Sequence, residues 1–255
     1  MGTDRQNGSL FIDITGKVAK VEFGHPAGNS FTAEMLDRFA AELHKLSMNE
    51  TISVIVLQSE GERAFCGGAS FEELMSISNL DEGKVFFSGF ANVINAMRTC
   101  PKIIVGRVQG KTVGGGVGLA ASCDYVFASE AASIRLSELS IGIAALVIEP
   151  AVTRKIGEAA ISELSLSPTE WKSAYWAQEK GLFSKVFDNL KELDEALVFF
   201  SEQLSNYNPQ ALADWKKVLW EGTSHWDNLL KERAGITGRL VLSEFTKNAI
   251  SKFKK

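Results

Sequence analysis

The chain has 255 residues, of which 45% are hydrophobic and 23% are charged, and its formal net charge is −4. These proportions are typical of a globular protein and exclude a disordered or collagen-like chain. Charges of both signs are mixed along the sequence, which excludes an obvious nucleic-acid-binding surface. No apolar run approaches the roughly 20 residues that a membrane span needs. The opening residues MGTDRQNGS lack an apolar signal core, so we expect a cytoplasmic protein without membrane or nucleic-acid partners.

The cysteines and histidines predict no metal site and no disulfide. Cys66, Cys100 and Cys123 are an odd number without CxxC spacing, and the three histidines are widely separated along the chain. Structural zinc requires closely spaced pairs of such ligands, which this sequence does not have.

The first part of the chain predicts alternating strands and helices. Apolar and polar residues alternate from Leu10 to Phe23 around a Thr15-Gly16 turn, which indicates a β-hairpin. A helical apolar stripe follows Thr32, a predicted N-cap. The later elements are predicted as strands over 52–57, 102–108 and 124–128 and helices over 81–100, with Asp81 as cap, and 117–122. This order favours an α/β fold.

From about residue 191 onward the sequence predicts helices only, in contrast to the alternating strands and helices before it. Four helical segments are predicted over 191–206, 209–221, 225–237 and 240–254. We therefore divide the chain into an α/β core, residues 1–190, and a C-terminal helical region, residues 191–255.

Two glycine-rich segments follow predicted strands. AFCGGAS at 64–70 indicates either a loop whose backbone N–H groups approach a ligand or a tight turn. VGGGVGLAASCD at 113–124 places a triple glycine before a short apolar helix, where N–H groups and the helix dipole favour an oxyanion. The run 116–121 also matches the dinucleotide pattern GxGxxA, and close helix packing is a third interpretation. A Walker loop is excluded because no Gly-Lys-Ser/Thr follows.

Glu138 lies between Leu136 and Leu139 in the segment LSELSIG. Such a carboxylate is either a helix cap or exposed loop residue, or a buried acid–base group with a raised pKa. The local sequence by itself favours the cap.

Together, three segments resemble the crotonase family of enoyl-CoA hydratases and isomerases. They are AFCGGAS, PKIIVGRVQGKTVGGGVGLAASCDYVFAS and IRLSELSIG, in this order and spacing. The resemblance covers nearly the whole chain, from the hairpin and the GHPAGNSF turn to GLFSKVF and the tail. It implies a spiral core of repeated ββα units, a C-terminal helical region that packs trimers or hexamers, and an acyl-CoA substrate. No separate cofactor is expected, since CoA is part of the substrate.

The resemblance also implies site residues. Two backbone N–H groups would polarise the thioester carbonyl, and matching the motifs assigns these donors to Gly67 and Gly115. Glu138 would be the acid–base residue. The remaining CoA contacts are assigned to the Ala27-Gly28 turn and to the backbone of 66–70, that is Cys66, Gly68, Ala69 and Ser70.

The sequence departs from the family pattern at the second carboxylate. Many hydratases carry one two residues after the triple glycine, where this chain has Gly118. We expect Gly118 to leave room for substrate there. Glu149 is the one spare acid nearby, but helix capping is the favoured interpretation of it. The residues of the GGGVGLAASCD and LSELSIG motifs most resemble those of methylglutaconyl-CoA-type hydratases. Hydration or dehydration of a short branched enoyl-CoA therefore ranks first, and double-bond isomerisation or a catalytically silent acyl-CoA-binding protein are the alternatives.

Overall fold

The computed structural model describes residues 8–252 and contains two sheets flanked by helices. The larger sheet has the strand order β1-β2-β3-β5-β7-β10, with β1 and β2 antiparallel and every other neighbouring pair parallel. Its strands are β1 Ser9–Thr15, β2 Val18–Gly24, β3 Val54–Ser59, β5 Ile103–Val108, β7 Tyr125–Ser129 and β10 Lys185–Phe187. The predicted hairpin and buried strands are confirmed.

The smaller sheet has the order β4-β6-β8-β9. Its short strands are β4 Ala64–Cys66, β6 Lys111–Val113, β8 Ser133–Arg135 and β9 Lys172–Ser173. Three successive repeats each place one strand in the larger sheet and the next strand in the smaller sheet, and a helical segment follows. The strand pairs are β3 and β4, β5 and β6, and β7 and β8. This is the repeated ββα pattern that the resemblance implied.

The helices agree with the apolar periodicity of the sequence. They are α1 Ala33–Met48, α2 Phe71–Ser76, α3 Leu80–Thr99, α4 Gly115–Ser122, α5 Glu149–Leu166, α6 Ala174–Glu179, α7 Leu190–Ser205, α8 Pro209–Leu219, α9 Trp226–Val241 and α10 Glu244–Ser251. Thr32 caps α1 as predicted, accepting a hydrogen bond from the N–H of Met35. The prediction for α3 was wrong in one detail, because its cap is Asn79 and not Asp81. None of the described helices is long and apolar enough to span a membrane.

The C-terminal helices share the hydrophobic core of the rest of the chain. Trp226, Leu230 and Ala234 of α9 are buried in the main core. Helix α9 crosses α3 so closely that a Cβ on Gly83 would lie 2.8 Å from the Cα of Gly238. Helix α7 covers the opposite face of the larger sheet, where Leu193 and Leu197 join a second apolar cluster. The tail is therefore integrated into the fold and is not an external appendage.

A buried polar network attaches α8 to the larger sheet. The Lys216 ammonium lies 2.9 Å from Asp124 Oδ2, and both side chains are almost completely buried. Asp124 Oδ2 also accepts from the N–H of Ile104, and Oδ1 accepts from the Trp220 indole. Buried charges need such complete pairing. This network attaches α8 and Trp220, which follows it, to the larger sheet directly before the chain enters α9.

Candidate active site

A cavity of about 530 Å³ opens where the smaller sheet meets α2, α3 and α9. Its wall contains the glycine loops, the segment 143–148 and Thr237 of α9. Most of the lining is apolar, including Phe71, Leu74, Phe87 and Phe90. Two charged residues line it, Arg135 and Glu138. The cavity thus combines an apolar chamber with a small polar region, as small-molecule sites do.

The triple glycine forms one polar wall of the cavity. Gly114 has φ 53° and precedes α4 without a side-chain cap, and its N–H donates to the Arg135 carbonyl at 3.0 Å. The next amide, of Gly115, begins α4 and has no acceptor among residues 8–252. The helix dipole adds positive potential at this end. The Gly115 N–H is therefore available to an anionic oxygen, and its contact with a substrate oxygen stays a prediction.

The loop after β4 forms the second polar wall, but with a different donor from the predicted one. The N–H of Gly67 donates to the Gly28 carbonyl at 2.9 Å, so it is already used within the protein. The Gly68 N–H donates to Cys66 Sγ. The Ala69 N–H has no acceptor in the described part of the chain, and Ala69 lines the cavity. The assignment of Gly67 as donor is contradicted by its hydrogen bond, and the free amide on this loop belongs to Ala69.

Asn29 holds the neighbouring loop in place. It has φ 58°, which is rare for a residue other than glycine. Its amide donates to the carbonyls of Glu60 and Ala64, and its oxygen accepts from the N–H of His25. These bonds fix the 25–29 turn and hence the Gly28 carbonyl that receives the Gly67 N–H. Asn29 was not among the residues predicted for the site.

Glu138 stands opposite the glycine loops at the start of a 3-10 turn, Glu138–Ile141. Its Oε2 is buried and has no hydrogen-bond partner among the residues that the structure describes. Its Oε1 lies against Gly114, where a Cβ would come within 2.6 Å of it. Burial raises the pKa of this carboxyl from 4.5 to about 7, although its own backbone N–H and the charge of Arg135 both lower it. Glu138 is thus poised to accept and donate a proton near neutral pH.

The raised pKa of Glu138 predicts a pH-dependent stability change. Between pH 4.5 and about 7 the native carboxyl keeps a proton that the unfolded chain has released, so the free energy of unfolding falls as pH rises. Replacing Glu138 by Gln removes this loss. Relative to the wild type, Glu138→Gln should gain on the order of 3 kcal/mol between pH 5 and pH 8 in urea unfolding. The exposed Glu221→Gln controls for the lost charge, and a pH-independent difference for Glu138→Gln would contradict the burial of this carboxyl.

Gly118 does not leave open space for substrate. It does not line the cavity, and a Cβ there would lie 2.5 Å from Ile148 Cγ2. Ile148 itself lines the cavity, so an apolar side chain occupies the region beside Gly118. The prediction that Gly118 touches substrate was wrong for this reason.

Glu149 does not supply a second carboxylate either. It is the first residue of α5 and does not line the cavity. Its carboxylate is ion-paired with Arg233 and accepts from the Thr153 hydroxyl at 2.6 Å. Glu149 therefore belongs to the N-terminal end of α5, although the residue in the N-cap position is Ile148.

The contact between Gly118 and Ile148 can be tested by a double-mutant cycle. Gly118→Glu should reduce the free energy of unfolding by about 1–3 kcal/mol or more, because its side chain overlaps Ile148. Combining it with Ile148→Ala should cost less than the sum of the two single changes. Urea unfolding of the four proteins measures this coupling, and strictly additive losses would show that the two residues do not compete for space.

The remaining predicted contacts divide between the cavity wall and its surroundings. Gly67, Gly68 and Ala69 line the cavity. Cys66 has no exposed surface in this structure, so its predicted contact with CoA has no surface available here. The same burial raises the pKa of its thiol to about 12. Ser70 is buried and caps α2 by accepting from the N–H of Glu73. Ala27 and Gly28 are exposed beside Gly67, outside the cavity wall, and their contact with CoA stays a prediction.

Comparison with known proteins identifies the family. The family model described as enoyl-CoA hydratase/isomerase matches residues 13–251. This chain belongs to the enoyl-CoA hydratase/isomerase family. A probable enoyl-CoA hydratase of Rhizobium meliloti is 30% identical over 192 residues, covering 74% of this chain and 72% of that protein. A peroxisomal Δ(3,5)-Δ(2,4)-dienoyl-CoA isomerase of Arabidopsis thaliana is 29% identical over 203 residues, covering 75% and 72%.

The fold of this enoyl-CoA hydratase/isomerase family member is also found in solved structures. The crystal structure of an enoyl-CoA hydratase from Bacillus halodurans superposes with a TM-score of 0.88 at 20% identity, covering 95% of this chain and 99% of that one. The crotonase fold expected from the sequence is thus confirmed. Within the described residues, no cluster of three or more histidine, cysteine or acidic side chains is arranged to hold a metal ion.

Several residues that shape the site of this family member were not predicted from the sequence, or were predicted in another role. The free Ala69 amide was included only among general CoA contacts, and Ile148 was not singled out at all. Phe90 packs directly against Gly115, where its ring would overlap any Cβ. The helical spacing of α3 marks Phe90 as a core residue, but the strand and loop geometry that brings Gly115 to it is tertiary.

Proposed function

We propose that this protein hydrates or dehydrates a short, branched enoyl-CoA thioester, with Glu138 as the single acid–base residue. The observation that carries the proposal is the buried, unpartnered Glu138 Oε2 in a cavity that also presents the free amides of Ala69 and Gly115. These two amides are the oxyanion donors in the proposed mechanism. The mostly apolar lining suits a short hydrocarbon group.

The proposed chemistry begins with polarisation of the thioester carbonyl. Two backbone N–H groups stabilise the enolate oxygen, and one such donor is typically worth ~3 kcal/mol of transition-state stabilisation. In hydration, the Glu138 carboxylate takes a proton from water as the oxygen attacks the β-carbon. The protonated Glu138 then gives that proton to the α-carbon of the enolate. A pKa of about 7 suits both steps.

Double-bond isomerisation is a second candidate. It is favoured by Ile148, an apolar side chain beside the position where two-carboxylate hydratases hold their other acid. A single base suffices when a proton is only moved from one carbon to another.

Labelled water distinguishes the two reactions. The protein is incubated in H₂¹⁸O with crotonyl-CoA, 3-methylglutaconyl-CoA or a 3-enoyl-CoA in separate reactions. Mass spectrometry then measures the ¹⁸O content of each product. Hydration of a 2-enoyl-CoA with one ¹⁸O in the product supports the proposal. Conversion of the 3-enoyl-CoA without ¹⁸O would replace it with isomerisation, and no turnover of any substrate would overturn both.

We also propose that the protein assembles as a trimer or hexamer through its C-terminal helices. Exposed apolar side chains on α7 and α8 support this, including Phe199, Trp215 and Val218. Trp220 and Trp226 do not contribute, because they are buried against each other within the chain. Light scattering at micromolar concentration tests the assembly, and a monomer would contradict it.

A further inference from the structure

The two free amides of the cavity wall lie on loops that leave neighbouring strands of the smaller sheet. Strands β4 and β6 pair side by side, and their last paired residues are Cys66 and Thr112. Ala69 and Gly115 each lie three residues beyond this ladder. Strand pairing therefore ends before it reaches either N–H group, and contacts beyond the ladder set the distance between them.

Phe31 holds the loop that carries Ala69. Its N–H donates to the Gly68 carbonyl at 2.8 Å, and its carbonyl accepts from the Ser70 N–H at 2.7 Å. These two bonds make an isolated parallel bridge between Phe31 and Ala69. Successive N–H groups of an extended chain point in opposite directions, so bonding the residues on both sides of Ala69 turns its own N–H away from Phe31. The bridge thus leaves this amide without an acceptor in the described part of the chain.

The ring of Phe90 supports the other amide. Phe90 lies on α3 and is only 3% exposed, and its ring edge occupies the place where a Cβ on Gly115 would stand. The ring thus packs directly against the backbone of Gly115, the first residue of α4. Because no side chain lies between them, the position of the ring determines how far this backbone can move.

The two supports contact each other. The rings of Phe31 and Phe90 lie edge to face, with centroids 6.2 Å apart and an angle of 74° between their planes, which is an arrangement that aromatic pairs favour. Phe31 also contacts the rings of Phe23 and Phe39, at 4.8 and 5.9 Å between centroids. Phe31 is completely buried and does not line the cavity. A continuous aromatic path therefore connects the two amides, and its Phe31 end has no surface in the cavity.

We infer that Phe31 and Phe90 are positioning residues that set the spacing between the Ala69 and Gly115 amides. The inference rests on the proposed function, because it takes these two N–H groups as donors to one thioester oxygen. Both donors must lie about 3 Å from that oxygen as its negative charge develops. A misplacement of ~1 Å caused by a change outside the reacting groups can cost ~10²-fold in rate. Loosening the aromatic contact should therefore weaken enolate stabilisation more than ground-state binding.

Phe31→Leu tests this role, because it keeps the backbone bridge and removes a ring that has no surface in the cavity. The probe is acetoacetyl-CoA, whose acidic α-hydrogen is released to solvent without help from Glu138, so the near-ultraviolet absorption of its bound enolate reports on the amides. We expect the ratio of bound enolate to bound keto form to be about tenfold or more lower in Phe31→Leu than in the wild type. Affinity for butyryl-CoA in calorimetry should stay within about twofold. Phe90→Leu, at the other end of the contact, should lower the enolate ratio as well.

Phe183→Leu is the matched control, since it removes a similarly buried ring from the same core at a place outside the cavity wall. It should destabilise the fold comparably and leave the enolate ratio unchanged. An unchanged ratio in folded Phe31→Leu, or an equal fall in Phe183→Leu, would overturn the inference. Phe31→Met, which keeps more of the volume of the ring, gives the same comparison if Phe31→Leu does not fold. A wild type that binds butyryl-CoA but forms no enolate from acetoacetyl-CoA would instead refute the proposed function.

Discussion

Replacing Glu138 by glutamine is expected to lower kcat by ~10²-fold or more while leaving acyl-CoA affinity within about twofold. The side chains have the same shape, so the packing against Gly114 is kept. Glutamine cannot take up or release a proton at the α-carbon, however, and no second carboxylate lines the described cavity. Steady-state kinetics with the best substrate of the ¹⁸O experiment measures kcat, and calorimetry with butyryl-CoA measures affinity.

Glu149→Gln is the matched control for this change. Glu149 is paired with Arg233 and does not line the cavity, so its neutralisation should leave kcat within about threefold of the wild type. Unchanged turnover in Glu138→Gln would remove Glu138 from the mechanism. A large loss in Glu149→Gln, with Glu138→Gln active, would transfer the proton-transfer role to Glu149.

Replacing Asp124 by alanine is expected to reduce the free energy of unfolding by about 3–5 kcal/mol. The change leaves the buried Lys216 ammonium without its counter-ion, 2.9 Å away in the wild type. It also leaves two buried donors without their acceptor, because the N–H of Ile104 and the indole N–H of Trp220 both donate to Asp124. Urea unfolding followed by tryptophan fluorescence measures the loss.

The double variant Asp124→Ala/Lys216→Met separates loss of charge pairing from loss of packing. Methionine removes the unpaired charge while filling much of the same space, so the double variant should be more stable than Asp124→Ala alone. If the double variant has a lower free energy of unfolding than Asp124→Ala, the unpaired charge of Lys216 is not the cause of the instability of Asp124→Ala.

The sequence was sufficient to predict those elements whose signal is local. The hairpin alternates over a full strand length on each side, and α1, α3 and α7 carry apolar residues at helical spacing over four or more turns. Such patterns depend only on which face of an element is buried. Strands β4, β6, β8 and β9 have two or three residues each, too few to show a period. Their existence follows from the pairing of distant segments.

The candidate site shows the same limit at the level of single atoms. The resemblance to the crotonase family implied that both glycine loops and Glu138 share one site, and the structure brings them to one cavity. The donor on the first loop could not be chosen from the sequence, because the Gly67 amide is used by a carbonyl 39 residues earlier, that of Gly28. The environment of Gly118 depends in the same way on Ile148, which arrives from the segment before α5. Both errors concern where a side chain or amide points after tertiary packing.

Exchange of the α-hydrogens of butyryl-CoA in D₂O tests the central claim most directly. If the Ala69 and Gly115 amides stabilise an enolate and Glu138 moves the α-proton, the wild type should replace α-hydrogen by deuterium in this saturated thioester without needing any other step. Mass spectrometry should show deuterium gain well above the enzyme-free rate for the wild type and Glu149→Gln, and none above it for Glu138→Gln. Exchange that is equally fast in Glu138→Gln, or absent from a wild type that binds butyryl-CoA, would contradict this account.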